Sequence, residues 1–154
     1  MAKEIERKFL VKPRKWSELG RGNRIRQGYL STAKEATVRV RTYGDKAYIT
    51  VKGLTVGATR DEYEYEIPVD DANAMLDRLC AKPLIEKTRY RIGHGGLTFE
   101  VDAFEGVNQG LTVAEVELES EKESVSLPDW IDREVTGDPK YYNANLIAHP
   151  FSTW

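Results

Sequence analysis

Glu4-Ile5-Glu6-Arg7-Lys8-Phe9-Leu10-Val11 places three charged side chains at alternate positions, and that spacing decides how the rest of the chain is read. On an extended strand successive residues point to opposite faces, so Glu4, Glu6 and Lys8 share one face while Ile5, Arg7 and Phe9 share the other. The same period of two recurs over residues 24–31, 36–43, 46–52, 60–67, 84–92, 97–104 and 112–120. With residues 4–11 these runs predict eight strands. Gly44-Asp45 and His94-Gly95-Gly96 separate adjacent runs by the short, glycine-bearing links of β-hairpins, so the sheet is expected to be mostly antiparallel.

Between the fifth and sixth runs the period changes. Ala72, Met75, Leu76, Leu79 and Cys80 follow the spacing that lays one apolar stripe along a helix. Asp70 or Asp71 is expected to cap its start and Pro83 to stop it. A shorter helix is expected near Pro128, with Trp130, Ile131 and Val135 on its buried side, and another over residues 144–148. These helices need an apolar sheet face to cover, which makes the expected class α+β, mainly β.

The chain has 154 residues, 40% of them hydrophobic and 31% charged, which suits a single folded domain over residues 1–154 and excludes wholesale disorder. Lys and Arg number 23 against 25 Asp and Glu, a net charge of −2, which argues against a basic duplex-binding surface. A lone cysteine, Cys80, cannot form an internal disulfide and fits a reducing compartment. The opening residues lack signal-peptide architecture, and no apolar stretch is long enough to span a bilayer. A cytoplasmic protein without nucleic-acid or membrane partners is therefore expected.

The charged faces carry the chemistry. Arg39 and Arg41 share a face opposite Val38 and Val40, and Lys52 lies with Thr50 and Tyr48. Arg60, Glu62, Glu64 and Glu66 oppose Tyr63, Tyr65 and Ile67. Lys87, Arg89 and Arg91 share a face, as do Glu100 with Asp102, and Glu115 with Glu117 and Glu119. For a single strand such alternation is what a solvated sheet face shows. Whole strands of one sign are different, because like charges ~4 Å apart cost about 4 kcal/mol at an effective dielectric of ~20 unless something opposes them. A ligand bearing both signs, such as a polyphosphate with a divalent metal, answers such a surface: Lys and Arg take phosphate oxygens and carboxylates hold the metal. Eight antiparallel strands can close into a barrel that holds one small ligand, giving a charged tunnel with an apolar exterior under the helices. An open sheet with a wet charged face has the same periodicity, and periodicity does not separate the two. The parity of the second strand is also open, since either Arg24 and Arg26 or Gln27 and Tyr29 can form its inward pair.

Taken in order, Glu4-Ile5-Glu6-Arg7-Lys8, Val38-Arg39-Val40-Arg41, Thr50-Val51-Lys52, Glu62-Tyr63-Glu64, Glu86-Lys87-Thr88-Arg89-Tyr90, Glu100-Val101-Asp102 and Glu115-Val116-Glu117 resemble the motifs of the CYTH superfamily, the triphosphate tunnel metalloenzymes. Glu134-Val135-Thr136 and Tyr141-x-Asn143-x-x-Leu146 resemble its small bacterial branch. The resemblance implies an eight-stranded antiparallel barrel that binds a small-molecule triphosphate with Mg²⁺ or Mn²⁺, and it allows a homodimer; the chemistry of phosphoryl transfer adds the expectation of two ions during turnover.

Carried over residue by residue, it implies metal ligation by Glu4, Glu6, Glu62, Glu64, Asp102, Glu115 and Glu117, and triphosphate binding by Lys8, Arg39, Arg41, Lys52, Lys87 and Arg89. Lys87, Arg89 and Lys8 are the expected catalytic residues. The charged residues have a plainer role open to them, which is pairing with one another. His94 and His149 lack metal-ligand spacing, Trp16, Trp130 and Trp154 read as packing anchors, and Tyr141 and Asn143 either close a tunnel mouth or merely pack. The leading activity is hydrolysis of inorganic triphosphate to pyrophosphate and phosphate. Adenylate cyclase or thiamine triphosphatase chemistry on the same scaffold, and a non-catalytic polyphosphate- or nucleotide-binding module, are the alternatives.

Overall fold

The computed structural model describes residues 3–154. β-Branched and aromatic residues at alternate positions produce the strands β1 (Lys3–Val11), β2 (Gly22–Ser31), β3 (Thr37–Tyr43), β4 (Lys46–Lys52), β5 (Thr59–Ile67), β6 (Ile85–His94), β7 (Leu97–Phe104) and β8 (Thr112–Glu117). They hydrogen-bond in the order β5-β4-β3-β2-β6-β7-β8-β1, every neighbour antiparallel. Pairing of Lys3, Glu4 and Ile5 with Asp61, Arg60 and Thr59 joins β1 back to β5 and closes the barrel. Closure leaves neither β1 nor β5 as a free edge over those residues. Gly44, at φ +59, and Gly95 and Gly96, at φ +58 and +79, supply the left-handed backbone that the two tight hairpins require.

The sheet is inverted relative to an ordinary barrel core. Phe9, Ile92, Phe99, Val101, Ala114 and Val116 point outward and are buried there under Trp16, Leu118, Trp130 and Ile131. Trp130 meets Trp16 and Phe99 edge to face, with ring centroids 5.1 and 5.8 Å away. On the opposite wall the helix α1 (Val69–Arg78) lays Ala72 and Leu76 onto Val40 and Ala47. Its N-cap position is Pro68, whose fixed φ suits a helix entrance, while Asp70 and Asp71 lie in the first turn and provide no side-chain cap. The helix ends at Arg78, ahead of Pro83, and Leu79 is exposed rather than part of the buried stripe.

The helix expected near Pro128 is a strand. β9 (Ile131–Glu134) pairs antiparallel with β1 through Val11–Ile131 and Phe9–Glu134. It occupies the edge of β1 that β5 has left, so Trp130 and Ile131 reach the outer core by strand pairing, with no helix involved. The chain then turns inward. A short 3-10 turn (Pro139–Tyr141) and the helix α2 (Asn145–Ala148) bring Val135, Tyr141 and Leu146 against the inward-facing Tyr29, Ile85, Phe104 and Val113. One end of the bore thereby has an apolar plug. No helix among the described residues is long and apolar enough to cross a membrane.

Candidate active site: a charged bore

Strand parity turns Glu4, Glu6 and Lys8 of β1 into the barrel, and register then decides which charges meet. Arg89 stands opposite Asp102, Lys8 opposite Glu115, and Lys52 opposite Glu62. Arg89 makes a bidentate contact with Asp102, Nε to Oδ1 at 2.7 Å and Nη2 to Oδ2 at 2.9 Å. Lys87 Nζ lies 2.8 Å from Asp102 Oδ2 as well. Lys52 donates to Glu4 at 2.9 Å and lies 3.3 Å from Glu62, while Lys8 Nζ is 3.4 Å from Glu115. Arg39 and Arg41 face Glu64 at 3.4 and 3.6 Å, and Thr50 donates its hydroxyl to the same carboxylate at 2.7 Å. All thirteen expected site residues are therefore turned toward one bore, where eleven of them pair cation with carboxylate and, among the described residues, Glu6 and Glu117 do not.

The pairing is incomplete in two informative ways. Among the described residues Nε of Arg39 and Nε of Arg41 are buried without an acceptor, a costly state for a guanidinium, and Arg39 lines the cavity where an anionic ligand would relieve it. On the carboxylate side, register sets Glu6 directly opposite Glu117, and Glu100 directly opposite Glu115. Like charges opposite one another destabilise an antiparallel pair unless a cation stands between them. Burial and the neighbouring Glu115 and Glu4 push the Glu6 carboxyl well above its usual range, and burial with Glu4 and Glu100 raises Glu117. Glu62 is pushed up to about 7 by burial and by Glu4. Glu115 has the opposite fate: Lys8, Arg89 and Lys87 overcome its burial and hold it far below an ordinary carboxylate.

The cations respond to the same field. Burial brings Lys87 down to about 8 despite Asp102, with Arg89 adding to the depression. Lys8 is equally enclosed, yet Glu115 and Glu6 outweigh its burial and raise it. Burial and the adjacent Arg39 and Arg89 lower Arg41 to about 10, where it keeps its charge at neutral pH.

A cavity of about 580 Å³, within the usual size of a small-molecule site, runs along the bore. Lys8, Arg39, Lys52, Lys87 and Arg89 line it together with Glu6 and Glu115. Arg41 lies off this surface, packed over the rings of Tyr43 and Tyr48 at 5.4 and 5.8 Å. The rim is built where β5 and β9 part company along β1: Gly57, Ala58, Thr136 and Gly137 all line the opening. Gly137, at φ +77, comes close enough to the Gly57 carbonyl that a Cβ would sit 3.8 Å from it.

Gln27, Tyr29 and Asn143 stood outside the expected site, as did Lys34 and Arg60, which also line the cavity. Gln27 and Tyr29 form the inward pair of β2, and Asn143 meets them from the plug. Arg24 and Arg26 point out, pairing with Glu86 and Glu105 and with Asp77 of α1. Alternation with the buried Ile25 is the signal that identifies the Gln27 and Tyr29 face, and without a charge on it that face is easily passed over. Asn143 Oδ1 accepts from Lys87 Nζ at 2.9 Å, and the Tyr141 carbonyl accepts from Lys8 Nζ at 3.3 Å. The plug thus holds both buried ammonium groups.

Donor chemistry suits a divalent cation at Glu4, Glu6, Glu62, Glu115 and Glu117, because carboxylate oxygens are what Mg²⁺ and Mn²⁺ take. Among the described residues no three potential ligands converge as a preformed cage. Glu64 and Asp102 differ from the other carboxylates in that arginines already engage their oxygens.

A closed antiparallel barrel with interior charges of both signs defines a class, and comparison places the chain in it. The CYTH domain model matches residues 2–149, and the chain belongs to that family. It is 51% identical over 154 residues to an inorganic triphosphatase of Acetivibrio thermocellus, covering 100% of this chain and 99% of that one. An inorganic triphosphatase of Nitrosomonas europaea is 38% identical over 148 residues, 93% of this chain and 95% of its own length. The crystal structure of the inorganic triphosphatase NE1496 superposes with a TM-score of 0.66 at 35% identity, covering 96% of this chain and 95% of that one.

Proposed function

We propose that the protein is an inorganic triphosphatase, cleaving tripolyphosphate with water into pyrophosphate and phosphate inside the bore. The observation that carries this reading is one cavity lined by the cations Lys8, Lys34, Arg39, Lys52, Arg60, Lys87 and Arg89 beside the carboxylates Glu6 and Glu115. Seven cations on one cavity surface suit a compact polyanion, and the burial of Lys8, Arg39, Lys87 and Arg89 strengthens their contacts relative to water.

Arg39 and Arg89 offer guanidinium forks to phosphate oxygens, Lys8 and Lys52 act as point charges, and Arg41 supports Arg39 from behind through their shared partner Glu64. Phosphoryl transfer needs alignment of a water behind the terminal phosphorus and relief of charge on the departing pyrophosphate oxygen. Lys87 with Arg89 is placed to stabilise or protonate that oxygen, since an ammonium brought down to about 8 by burial gives up a proton more readily than an ordinary lysine. Glu6, raised by burial and by its neighbours, is a candidate to orient the water. Glu4, Glu6, Glu115 and Glu117, with Glu62 beside them, would hold Mg²⁺ or Mn²⁺, and Glu64 and Asp102 would tune the cations next to it. When bound, the metal supplies charge neutralisation for the phosphates and lowers the pKa of a coordinated water. In this proposal the enzyme is cytoplasmic and acts on a free small molecule with neither nucleic acid nor membrane as partner, and the family resemblance allows a homodimer.

Purified protein with Mg²⁺ or Mn²⁺ is offered tripolyphosphate, ATP and thiamine triphosphate, and phosphate and cyclic AMP are measured. Preferential release of phosphate from tripolyphosphate is expected. Cyclic AMP formation, or tight tripolyphosphate binding without turnover, overturns the assignment.

A further inference from the structure

We propose that Asn143 and Tyr29 form a neutral hydrogen-bond subsite for a phosphate oxygen at the plugged end of the bore. The inference rests on the triphosphatase reading and adds two substrate-binding residues to it.

The orientation of the Asn143 amide follows from chemistry. A lysine ammonium has only donors, so the Asn143 atom 2.9 Å from Lys87 Nζ must be the oxygen. The group that Gln27 presents to that oxygen at 3.0 Å must then be its NH₂. Gln27 is fully buried, and this assignment leaves its Oε1 with no donor. An unpartnered buried acceptor is costly, so the orientation of Gln27 is imposed by what lies on its other side. There Nε2 also donates to the Tyr29 hydroxyl at 3.2 Å.

Two donors are left over. The Tyr29 hydroxyl accepts from Gln27, and its own proton has no protein acceptor among the described residues, the unpartnered Gln27 Oε1 included. Asn143 Nδ2 likewise has no protein acceptor there, and it is not sealed away as a buried orphan. Both residues line the cavity that Lys87 and Arg89 also line, although Tyr29 is itself only 5% exposed. A buried hydroxyl and an amide NH₂, each fixed on its acceptor side and free on its donor side, are built to meet an acceptor. Within this cavity that acceptor is a phosphate oxygen, met beside the ammonium that Asn143 holds with its other atom.

The test separates donation to substrate from support of Lys87. Tyr29→Phe, which removes only the hydroxyl and adds no charge, carries the test, and Asn143→Asp, which keeps an oxygen for Lys87 and Gln27 but replaces the NH₂ by a negatively charged oxygen, is read against it. Titration calorimetry with the imido analogue of tripolyphosphate and Mg²⁺ gives Kd, and steady-state assays give KM and kcat, for the full chain. Loss of a hydrogen bond to a charged acceptor predicts a Kd and KM raised roughly tenfold or more in each variant. Melting temperatures close to wild type show that the fold is intact, and if Asn143→Asp fails to fold, Tyr29→Phe carries the test alone. A Kd within twofold of wild type, or a lowered kcat with Kd unmoved, overturns the subsite. Wild-type protein that binds no tripolyphosphate analogue overturns the functional reading instead.

Discussion

Lys87 is only 1% exposed, yet it must carry charge to hold a phosphate, and the two demands conflict. Burial wins part of the contest and brings its ammonium to about 8. Since kcat/KM reports the ionisation of free enzyme, it is expected to fall as pH rises through about 8, where Lys87 loses the proton that the leaving group needs. A rise through the same range would make neutral Lys87 a base. Lys87→Ala at saturating metal is expected to lower kcat by roughly 10²–10⁴-fold, and near-normal turnover would remove Lys87 from the chemistry. Glu62 gives a stability test of opposite pH sense. Its carboxyl, raised to about 7, is protonated in the folded chain at pH values where the unfolded chain has already released the proton. The contribution of Glu62 is therefore full below its ordinary pKa of 4.5 and is lost as pH rises through about 7. Glu62→Gln, which stays neutral throughout, is expected to match the wild-type melting temperature near pH ~4 and exceed it above about pH 7, by about 1 kcal/mol once solvent screening is allowed for. Thermal unfolding across that range checks the crossover.

Two fully buried leucines show what separate elements do. Leu76 on α1 packs against the outer wall, and Leu146 on α2 sits in the plug beside Tyr29 and Tyr141. Truncating either to alanine is expected to destabilise the fold by about 2–5 kcal/mol. Only Leu146→Ala is expected to raise KM for tripolyphosphate as well, because the plug carries Asn143 and the carbonyl that receives Lys8. Denaturant unfolding and steady-state kinetics on both variants check the split. Elements of this kind were unequally legible in the sequence. The eight barrel strands announce themselves, since a one-residue slip would turn Phe9 or Phe99 into the charged bore and Lys8 or Asp102 into the apolar shell. Strand β9 does not, because its four residues have no alternation long enough to read and owe their conformation to a vacant stretch of the β1 edge. The charged site residues were legible for the same reason as the strands. Gln27, Tyr29 and Asn143 were legible only as open alternatives, an undecided β2 parity and a residue that either closes a mouth or packs, as their roles depend on the plug folding back over residues more than a hundred positions away.

At the scale of the whole barrel, the decisive quantity is the balance of charge in the bore. Charge is spread unevenly along it: Glu4 and Glu62 share Lys52, and Glu6 and Glu117 have no ion-pair partner among the described residues, while Glu64, Glu100, Asp102 and Glu115 are each paired with an arginine or a lysine. Around Glu4, Glu6, Glu62 and Glu117 the excess is negative, and the upward displacement of Glu6, Glu62 and Glu117 lets that cluster retain protons to reduce it. Tripolyphosphate alone would deepen the excess, whereas a divalent cation removes it and takes the place of those protons. Tripolyphosphate affinity is accordingly expected to collapse in EDTA and to return with Mg²⁺ or Mn²⁺. Metal binding near pH ~6 should release protons, seen as a buffer-dependent heat in titration calorimetry, and the metal concentration needed for half-saturation should fall as pH rises through about 7. Glu6→Gln, which removes one of the carboxylates that register sets face to face, should weaken metal binding and diminish the proton release. Metal-independent tripolyphosphate binding of wild-type strength would mean that the cations act alone and that the opposed carboxylates serve only to balance them.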